Sequence, residues 1–198
     1  VREDMLHVAD CPSLEGLTWG THLVPAEELP EPPVRTWMGY RNAAGPAGTR
    51  NYLGIVTTVQ CAAGVVRSVT ERIRRELLPK YPNVEGVVAI THAYGCGVAI
   101  RAREAGIPIR AIRNIIQHPN FGGEAIVVGL GCEKLTYDMV LPPEKINAET
   151  CITLQEQPGH AAMEQAILDL AEKKLRILNE RRREELPLSE LCIGMQCG

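Results

Sequence analysis

The chain is predicted to form an α/β domain, with a mainly parallel open sheet of about four to five strands and helices on both faces. Two observations support this fold class: apolar, β-branched runs alternate with segments of helical periodicity, and glycine- or proline-containing turns separate them. Parallel strands need a long crossover, usually a helix, so the alternation indicates right-handed βαβ units. A length of 198 residues is enough for one well-buried core.

The predicted elements begin after residue 50. The first run, NYLGIVTTVQC, is typical of a buried strand, and Val66, Val69 and Ile73 then recur at helical spacing until Pro79. In order, the sequence predicts a strand over 51–61, a helix over 62–79, a strand over 84–91, a helix over 108–118, strands over 124–131 and 149–155, a helix over 161–185 and a last strand within 190–198. This order is typical of Rossmann-like and flavodoxin-like folds.

The domain organisation follows from composition. Residues 1–38 contain prolines at 25, 30, 32 and 33 and no sustained apolar period, which predicts an extended linker from a missing N-terminal domain. Residues 39–188 form the predicted α/β middle domain, and 189–198 are predicted to be a strand leading into a missing C-terminal domain. The sequence is therefore interpreted as a piece of a longer protein.

The charge and the cysteines exclude several classes of function. With 21 basic and 24 acidic residues, the net charge of −3 gives no reason to expect nucleic acid or an anionic membrane as a partner. No apolar run approaches the roughly 18 residues of a membrane span, and no signal peptide is recognisable, so a cytoplasmic protein is expected. Seven cysteines without a dense framework indicate reduced thiols rather than a disulfide scaffold or zinc ribbon.

Three predicted strands are each followed by a cysteine, namely Cys61, Cys96 and Cys132. In an open parallel sheet, ligands bind outside the carboxyl ends of the strands, so these thiols and His92 are expected to meet at one edge. Thiolates suit iron, iron–sulfur clusters and zinc. The alternative is that each cysteine is a small buried apolar residue.

Other polar residues near the strand ends complete the predicted site. His92, His118 and Lys134 are candidates for proton transfer, and the predicted substrate-binding residues are Arg41, Arg50, Asn51, Gln60 and Glu133. Alternatives remain open: His92 as a structural histidine, His118 as a turn cap, Lys134 in a surface ion pair and the arginines as solvated side chains. Motifs for dinucleotide, P-loop or serine-hydrolase chemistry are missing.

A set of motifs in fixed order then points to a family. GYRNAAGPAGTRN, LLPKYPNVEGVV, HAYGCGVAI, HPNFGGE, VGLGCEKL and GMQCG, from about residue 30 to the end, make the chain resemble the altronate/galactarate dehydratase family. The resemblance implies a longer protein with a small N-terminal β-rich domain, a linker, this middle α/β domain and a large C-terminal domain. It also implies that the middle domain takes part in a homodimer.

The activity is implied by the resemblance alone. It is the loss of water from a small-molecule sugar diacid, galactarate being converted to 5-dehydro-4-deoxy-D-glucarate. The implied cofactor is iron, as Fe2+ or an iron–sulfur cluster, bound here or mainly by the missing C-terminal domain. Two alternatives stay open: a structural and dimerisation domain with catalysis elsewhere, or a sister lyase acting on altronate or sulfolactate.

Overall fold

The computed structural model describes residues 33–42 and 45–194. The predicted linker therefore lies mostly outside the described residues, and the elements below belong to the unit formed by residues 34–198. The strands are β1 (Thr36–Gly39), β2 (Tyr52–Thr57), β3 (Gly86–Ile90), β4 (Ile126–Gly129), β5 (Cys151–Thr153) and β6 (Glu184–Pro187). The helices are α1 (Ala63–Glu76), α2 (Gly106–Ile116), α3 (Tyr137–Val140) and α4 (His160–Asn179).

A four-stranded parallel sheet in the order β3-β2-β4-β5 forms the centre of the domain. Strand β2 is the first strand of this sheet in chain order but lies between β3 and β4, so the direction of winding reverses there. Ile55 of β2 is opposite Ala89 on one side and Ile126 on the other. The predicted parallel sheet is confirmed, and the crevice outside the carboxyl ends of the paired strands β2 and β4 is the position where such folds bind ligands.

Helices cover both faces because alternate strand residues point in opposite directions. Ile55 and Ile126 belong to the core packed by α1 and α4, whereas Val56 and Val127 belong to the core packed by α2 and α3. On α1, the predicted periodic residues are the buried ones. Each buried aliphatic side chain contributes about 1.5–3 kcal/mol relative to exposure, so these two cores fix the helices on the sheet.

Two predictions near the C-terminal end are wrong within the described residues. The last helix ends at Asn179, not at 185, because Asn83 and Arg182 donate side-chain hydrogen bonds to the Asn179 carbonyl and terminate it. The strand predicted within 190–198 is not formed up to Gly194: residues 188–190 make a 3₁₀ turn, and Ile193 is exposed with no neighbouring strand in the described part.

A small antiparallel sheet that was not predicted lies just before that segment. Strand β6 pairs with β1, which lies in the segment predicted to be linker, and Trp37 is opposite Leu186. Leu186 is fully buried, so this pairing closes an apolar contact that the sequence pattern alone did not reveal. Among the described residues, no helix combines the length and apolar character needed to cross a bilayer.

Candidate functional site

Three loops at the carboxyl edge of the sheet bring thiols together. Cys61 lies in the 3₁₀ turn before α1, Cys96 in the loop after β3 and Cys132 in the loop after β4. The Sγ atoms of Cys96 and Cys132 are 3.8 Å apart, and Cys61 also contacts Cys96. The predicted convergence is observed, while the role of these residues as metal ligands stays a prediction.

The pKa of the Cys96 thiol depends on the other two thiols. The hydrogen bond to Cys132 is the largest cause that raises the pKa of Cys96, followed by burial and by the charges of Cys132 and Cys61, and together they bring it to about 11. Neighbouring thiolates repel each other, so the cluster resists losing all its protons without a cation. Cys61 and Cys132 are nevertheless exposed.

Gln155 belongs to the same cluster and was not predicted. Its Nε2 lies 3.7 Å from the Cys132 sulfur, close enough for a weak hydrogen bond. The residue follows β5, the fourth parallel strand, so its position at the carboxyl edge was available from the predicted strand order. It was not selected as a site residue because an exposed glutamine after a strand is usually only solvated.

His92 lies beside the thiols, but both ring nitrogens already have partners. Nε2 donates to the Thr57 carbonyl oxygen at 3.0 Å, and Nδ1 accepts from the Tyr94 backbone N–H at 3.1 Å. Burial lowers the pKa of His92, which favours the neutral ring that this pattern requires. With no free nitrogen in this conformation, the imidazole holds the loop that carries Cys96.

Gln60 supports that loop through its backbone. Its N–H donates to the Tyr94 carbonyl at 2.8 Å, so Tyr94 is held at both its N–H and its C=O. The Gln60 side chain itself is exposed at the sheet edge. The structure thus places Gln60 in the predicted site, with a backbone contact as its observed contribution.

Glu133 is built into the β4–α3 loop as a fixed carboxylate. It accepts hydrogen bonds from the Thr58 hydroxyl, from Leu130 N–H at 2.9 Å and from Gly131 N–H at 2.6 Å. Burial works to raise the pKa of Glu133, but these hydrogen bonds outweigh it and the pKa is lowered. An ionised carboxylate in this position repels a substrate acid, so the geometry favours a loop-ordering role.

Gly129 makes room for this arrangement. A Cβ at position 129 would lie 2.6 Å from both the Glu133 carboxylate and the Tyr137 hydroxyl. Tyr137 in turn donates to the Ile152 carbonyl at 2.9 Å, and burial raises its pKa. The closeness of backbone and side chains here explains why glycine ends β4.

A cavity of about 300 Å³ opens beside the thiols. Gly95 and Glu133, the chain neighbours of Cys96 and Cys132, belong to its wall, which is otherwise mostly apolar. Lys134 is exposed at this cavity, with Nζ 3.3 Å from the Val98 carbonyl. This long contact leaves most of the donor capacity of the ammonium group available to a ligand.

The predicted arginines lie at the opposite, amino end of the strands. Arg41 pairs with Glu184 and with Glu190, the latter at 3.2 Å, and Arg50 lies 3.6 Å from Glu85. Six residues of β2 separate the two edges, roughly 20 Å at about 3.3 Å per residue. The structure therefore does not bring these guanidinium groups to the thiols.

Asn51 is also at the amino edge and is fully buried. Its Nδ2 donates to the carbonyls of Asn83 and Leu178 at 2.8 and 2.9 Å, and its Oδ1 accepts from Arg181 at 2.8 Å. Both hydrogens of the side-chain amide and its oxygen therefore have partners within the chain. In the described conformation, Asn51 ties β2 to the end of α4.

His118 shares this location. Its Nδ1 accepts from the Asn120 N–H at 3.2 Å, which caps the following 3₁₀ turn, and Asn120 Oδ1 accepts from the N–H groups of Thr49 and Arg50. The turn-cap alternative is therefore the observed contact. His118 does not approach the cysteines, which follow the other ends of the strands.

The thiols provide a partial set of metal ligands. Two thiolates bound to one tetrahedral ion at about 2.3 Å, the zinc value, lie about 3.8 Å apart, which is the separation of Cys96 and Cys132. Both sulfur contacts of the cluster involve Cys96, however, and within residues 33–42 and 45–194 no three His, Cys, Asp or Glu groups surround a common point. The pair fits a sulfur-preferring metal, and further ligands must come from movement or from elsewhere.

Comparisons with known proteins agree on one family. Residues 39–179 match the model described as the second domain of D-galactarate dehydratase/altronate hydrolase. The chain is 48% identical over its full length to galactarate dehydratase (L-threo-forming) of Escherichia coli, of which it spans 39%. It is 35% identical to altronate dehydratase of Bacillus subtilis over 83% of the chain and 32% of that protein, and 30% identical to altronate dehydratase of Escherichia coli over 80% of the chain and 31% of that protein.

Proposed function

Because the chain belongs to the D-galactarate dehydratase/altronate hydrolase family, we propose that it is the middle α/β domain of a hydro-lyase that removes water from a sugar acid. The chain spans 39% of the galactarate dehydratase it resembles, so the activity belongs to the longer protein. The observation that carries the proposal is the 48% identity over the whole chain, together with thiols at the sheet edge where such folds bind ligands.

The proposed substrate is galactarate, which would yield 5-dehydro-4-deoxy-D-glucarate. Identity to the galactarate enzyme is 48%, against 35% and 30% for the two altronate enzymes. In this reaction a base removes the proton next to a carboxylate, the neighbouring hydroxyl leaves, and the resulting enol becomes a 2-keto acid. The proton is weakly acidic, so stabilising the negative charge that develops is the main demand on the site.

We propose that iron, as Fe2+ or within an iron–sulfur cluster, is held by Cys96 and Cys132 with Cys61 beside them. The 3.8 Å separation of the first two sulfurs and the preference of iron for thiolates support this assignment. Iron bound there would supply the positive charge that the reaction needs. The rest of the longer protein is proposed to complete the ligand set, since the described residues do not.

Among the residues of this chain, Lys134 is the proposed contact to substrate. It is exposed at the carboxyl edge, and its ammonium group has one long hydrogen bond, to Val98. A lysine there can bind a carboxylate of the diacid or, when deprotonated, take its α-proton. His92 and Glu133 are proposed to position the two cysteine-bearing loops rather than to react.

A second function, a dimerisation domain with catalysis in another part of the protein, has its own support. Ile107 and Ile115 of α2 are 53% and 39% exposed, and Ala111 lies one turn from each on the same face. An apolar helical stripe of this kind is suited to packing against a second copy. We propose a homodimer in the cytoplasm, where the thiols stay reduced.

The test uses the full-length protein, purified anaerobically. Galactarate and altronate are assayed side by side with wild type and with Cys61→Ser, Cys96→Ser and Cys132→Ser, and iron is measured in each. A higher kcat/KM for galactarate and loss of iron in the variants support the proposal. Near-normal turnover in all three variants would contradict the proposed role of the thiols and favour the dimerisation function. Light scattering of the double variant Ile107→Lys/Ile115→Lys would then test whether the dimer depends on the α2 stripe.

A further inference from the structure

We infer that Cys96 and Cys132 form a reversible disulfide with each other when the chain meets a low-molecular-weight disulfide such as oxidised glutathione. The two Sγ atoms are already 3.8 Å apart and belong to different loops, 36 residues apart in the chain. A disulfide needs a separation of about 2.05 Å, so the sulfurs must approach by a little under 2 Å. Side-chain rotation with small loop shifts supplies movements of this size.

The loop that carries Cys96 has the room to move. A Cβ placed at Gly95 or at Gly97 would meet no atom within 4 Å, so there is open space on the side-chain side of both neighbours of the cysteine. Glycine also tolerates a wide range of backbone angles. Cys96 packs against the edge of the core as a half-buried side chain, so its reorientation toward Cys132 requires a movement of its own loop and not of the sheet. His92 keeps the base of that loop in place.

The loop that carries Cys132 is the fixed partner. Glu133 accepts hydrogen bonds from the N–H groups of Leu130 and Gly131. Gly131 has φ of 120°, and a Cβ there would lie only 3.0 Å from atoms of Thr153 and Gln155. This anchoring holds the Cys132 backbone while leaving the side chain exposed. The exposed Cys132 thiol is accessible to a small disulfide from solution. The half-buried Cys96 thiol lies close enough to react with Cys132 in the next step.

The reaction balances in two steps of thiol–disulfide exchange. The Cys132 sulfur, as thiolate, attacks one sulfur of oxidised glutathione, the glutathione S–S bond breaks, and one glutathione leaves as thiolate. The Cys96 sulfur then attacks the Cys132 sulfur of the mixed disulfide and expels the second glutathione. Two protein thiols are oxidised, one glutathione disulfide is reduced, and the two protons of the thiols end on the two glutathiones.

The consequence concerns the sulfurs themselves. A sulfur in a disulfide has no thiolate to offer to a metal, so the oxidised chain would lose the pair of donors that the domain presents at this edge. Dithiol and disulfide forms would thus differ in ligand capacity without any change in the core. The inference does not depend on whether the longer protein is a dehydratase.

The experiment uses the metal-free full-length protein in glutathione buffers of increasing oxidised fraction, followed by alkylation and tryptic digestion without reduction. Cys61, Cys96 and Cys132 fall on separate tryptic peptides, 51–67, 81–101 and 114–134. The expected product is peptide 81–101 linked to 114–134, with two fewer free thiols per chain, reversed by dithiothreitol. Cys192→Ser, which removes an exposed cysteine in another segment, should show the same link.

The variants make the result specific. Cys132→Ser and Cys96→Ser should each abolish the linked peptide, whereas Cys61→Ser should keep it. A link from 51–67 to 81–101, or glutathione adducts alone at every buffer ratio, would overturn the inference. Iron content and turnover are measured on a reduced portion of the same protein, set aside before the metal is removed. A disulfide that forms in a protein without dehydratase activity, or an active dehydratase that forms no disulfide, separates the two proposals.

Discussion

Both edges of the parallel sheet carry polar groups, but the groups at the two edges have different partners. At the amino edge, Asn51, His118 and the arginines are hydrogen-bonded or ion-paired to other groups of this chain. At the carboxyl edge, the thiols and Lys134 have weak or long contacts and stay accessible. A polar group that has its partners contributes to stability, and one without them is available to a ligand. Substitutions at the two edges should therefore affect different measurements.

The largest expected effect is on turnover at the carboxyl edge. If Cys132 holds the proposed metal, Cys132→Ser in the full-length protein should reduce kcat/KM by about 100-fold or more, because losing a ligand costs at least as much as losing the partner that supports it. The free energy of unfolding should change little, since the side chain is exposed. Steady-state kinetics and urea unfolding are compared, with Cys192→Ser as control. Equal activity in the two variants would remove Cys132 from the site.

At the amino edge, the large effect should be on stability. Asn51→Ala removes three hydrogen bonds of a fully buried side chain and should lower the free energy of unfolding by about 2–3 kcal/mol. Asn114→Ala, at an exposed position of α2, should change it by less than about 0.5 kcal/mol. Urea unfolding monitored by circular dichroism measures both. A similar small effect in both variants would show that the Asn51 contacts do not stabilise the fold.

The coupling among the thiols can be tested through Cys96. Its pKa, raised to about 11, should return toward the usual value of 9.0 in Cys132→Ser, because the hydrogen-bond partner and its charge are removed. The measurement is the pH dependence of iodoacetamide labelling, read from peptide 81–101. Cys192→Ser leaves the three thiols in place and should keep the high value. An unchanged pKa in Cys132→Ser would contradict the described contact.

Glu133→Gln should have a smaller, pH-dependent effect. The pKa of Glu133 is lowered in the folded chain, so its ionised form contributes stability above the unfolded pKa of about 4.3, and this contribution is lost as the pH falls through the lower folded value. The variant should be less stable by about 1 kcal/mol at pH 7, and the difference should shrink below about pH 4. Urea unfolding at both pH values measures it, with exposed Glu149→Gln as control. A stability difference between wild type and variant that grows at low pH would contradict the lowered pKa of Glu133.

The smallest expected effect is that of Arg50→Ala. Its ion pair with Glu85 is long, at 3.6 Å, and the arginine side chain is 58% exposed, so the loss of stability should be below about 1 kcal/mol. Arg110→Ala, also exposed, is the matched variant. The same preparations test the sequence-based assignment of Arg50 to substrate, which requires a rise in KM of tenfold or more for Arg50→Ala alone.

The candidate site was predictable where it depended on strand ends. Cys61, Cys96 and Cys132 each follow an apolar β-branched run, and parallel strands present their carboxyl ends at one edge whatever the loops do. The positions of Glu133 and Lys134 at this edge were predictable for the same reason, since they directly follow Cys132 in the chain. Arg41, Arg50 and His118 were harder to place, since residue type indicates what a side chain can bind but not which internal partner already holds it.

By itself, the sequence determined the α/β class, the parallel sheet, the three-thiol edge and the family, because period, strand order and local motifs are properties of the chain. Tertiary structure alone decided the pairing of β1 with β6, the end of α4 at Asn179 and the internal bonding of Asn51 and His92. Each depends on groups distant in the chain. Their contact energies appear only when the fold brings them together, so no local pattern encodes them.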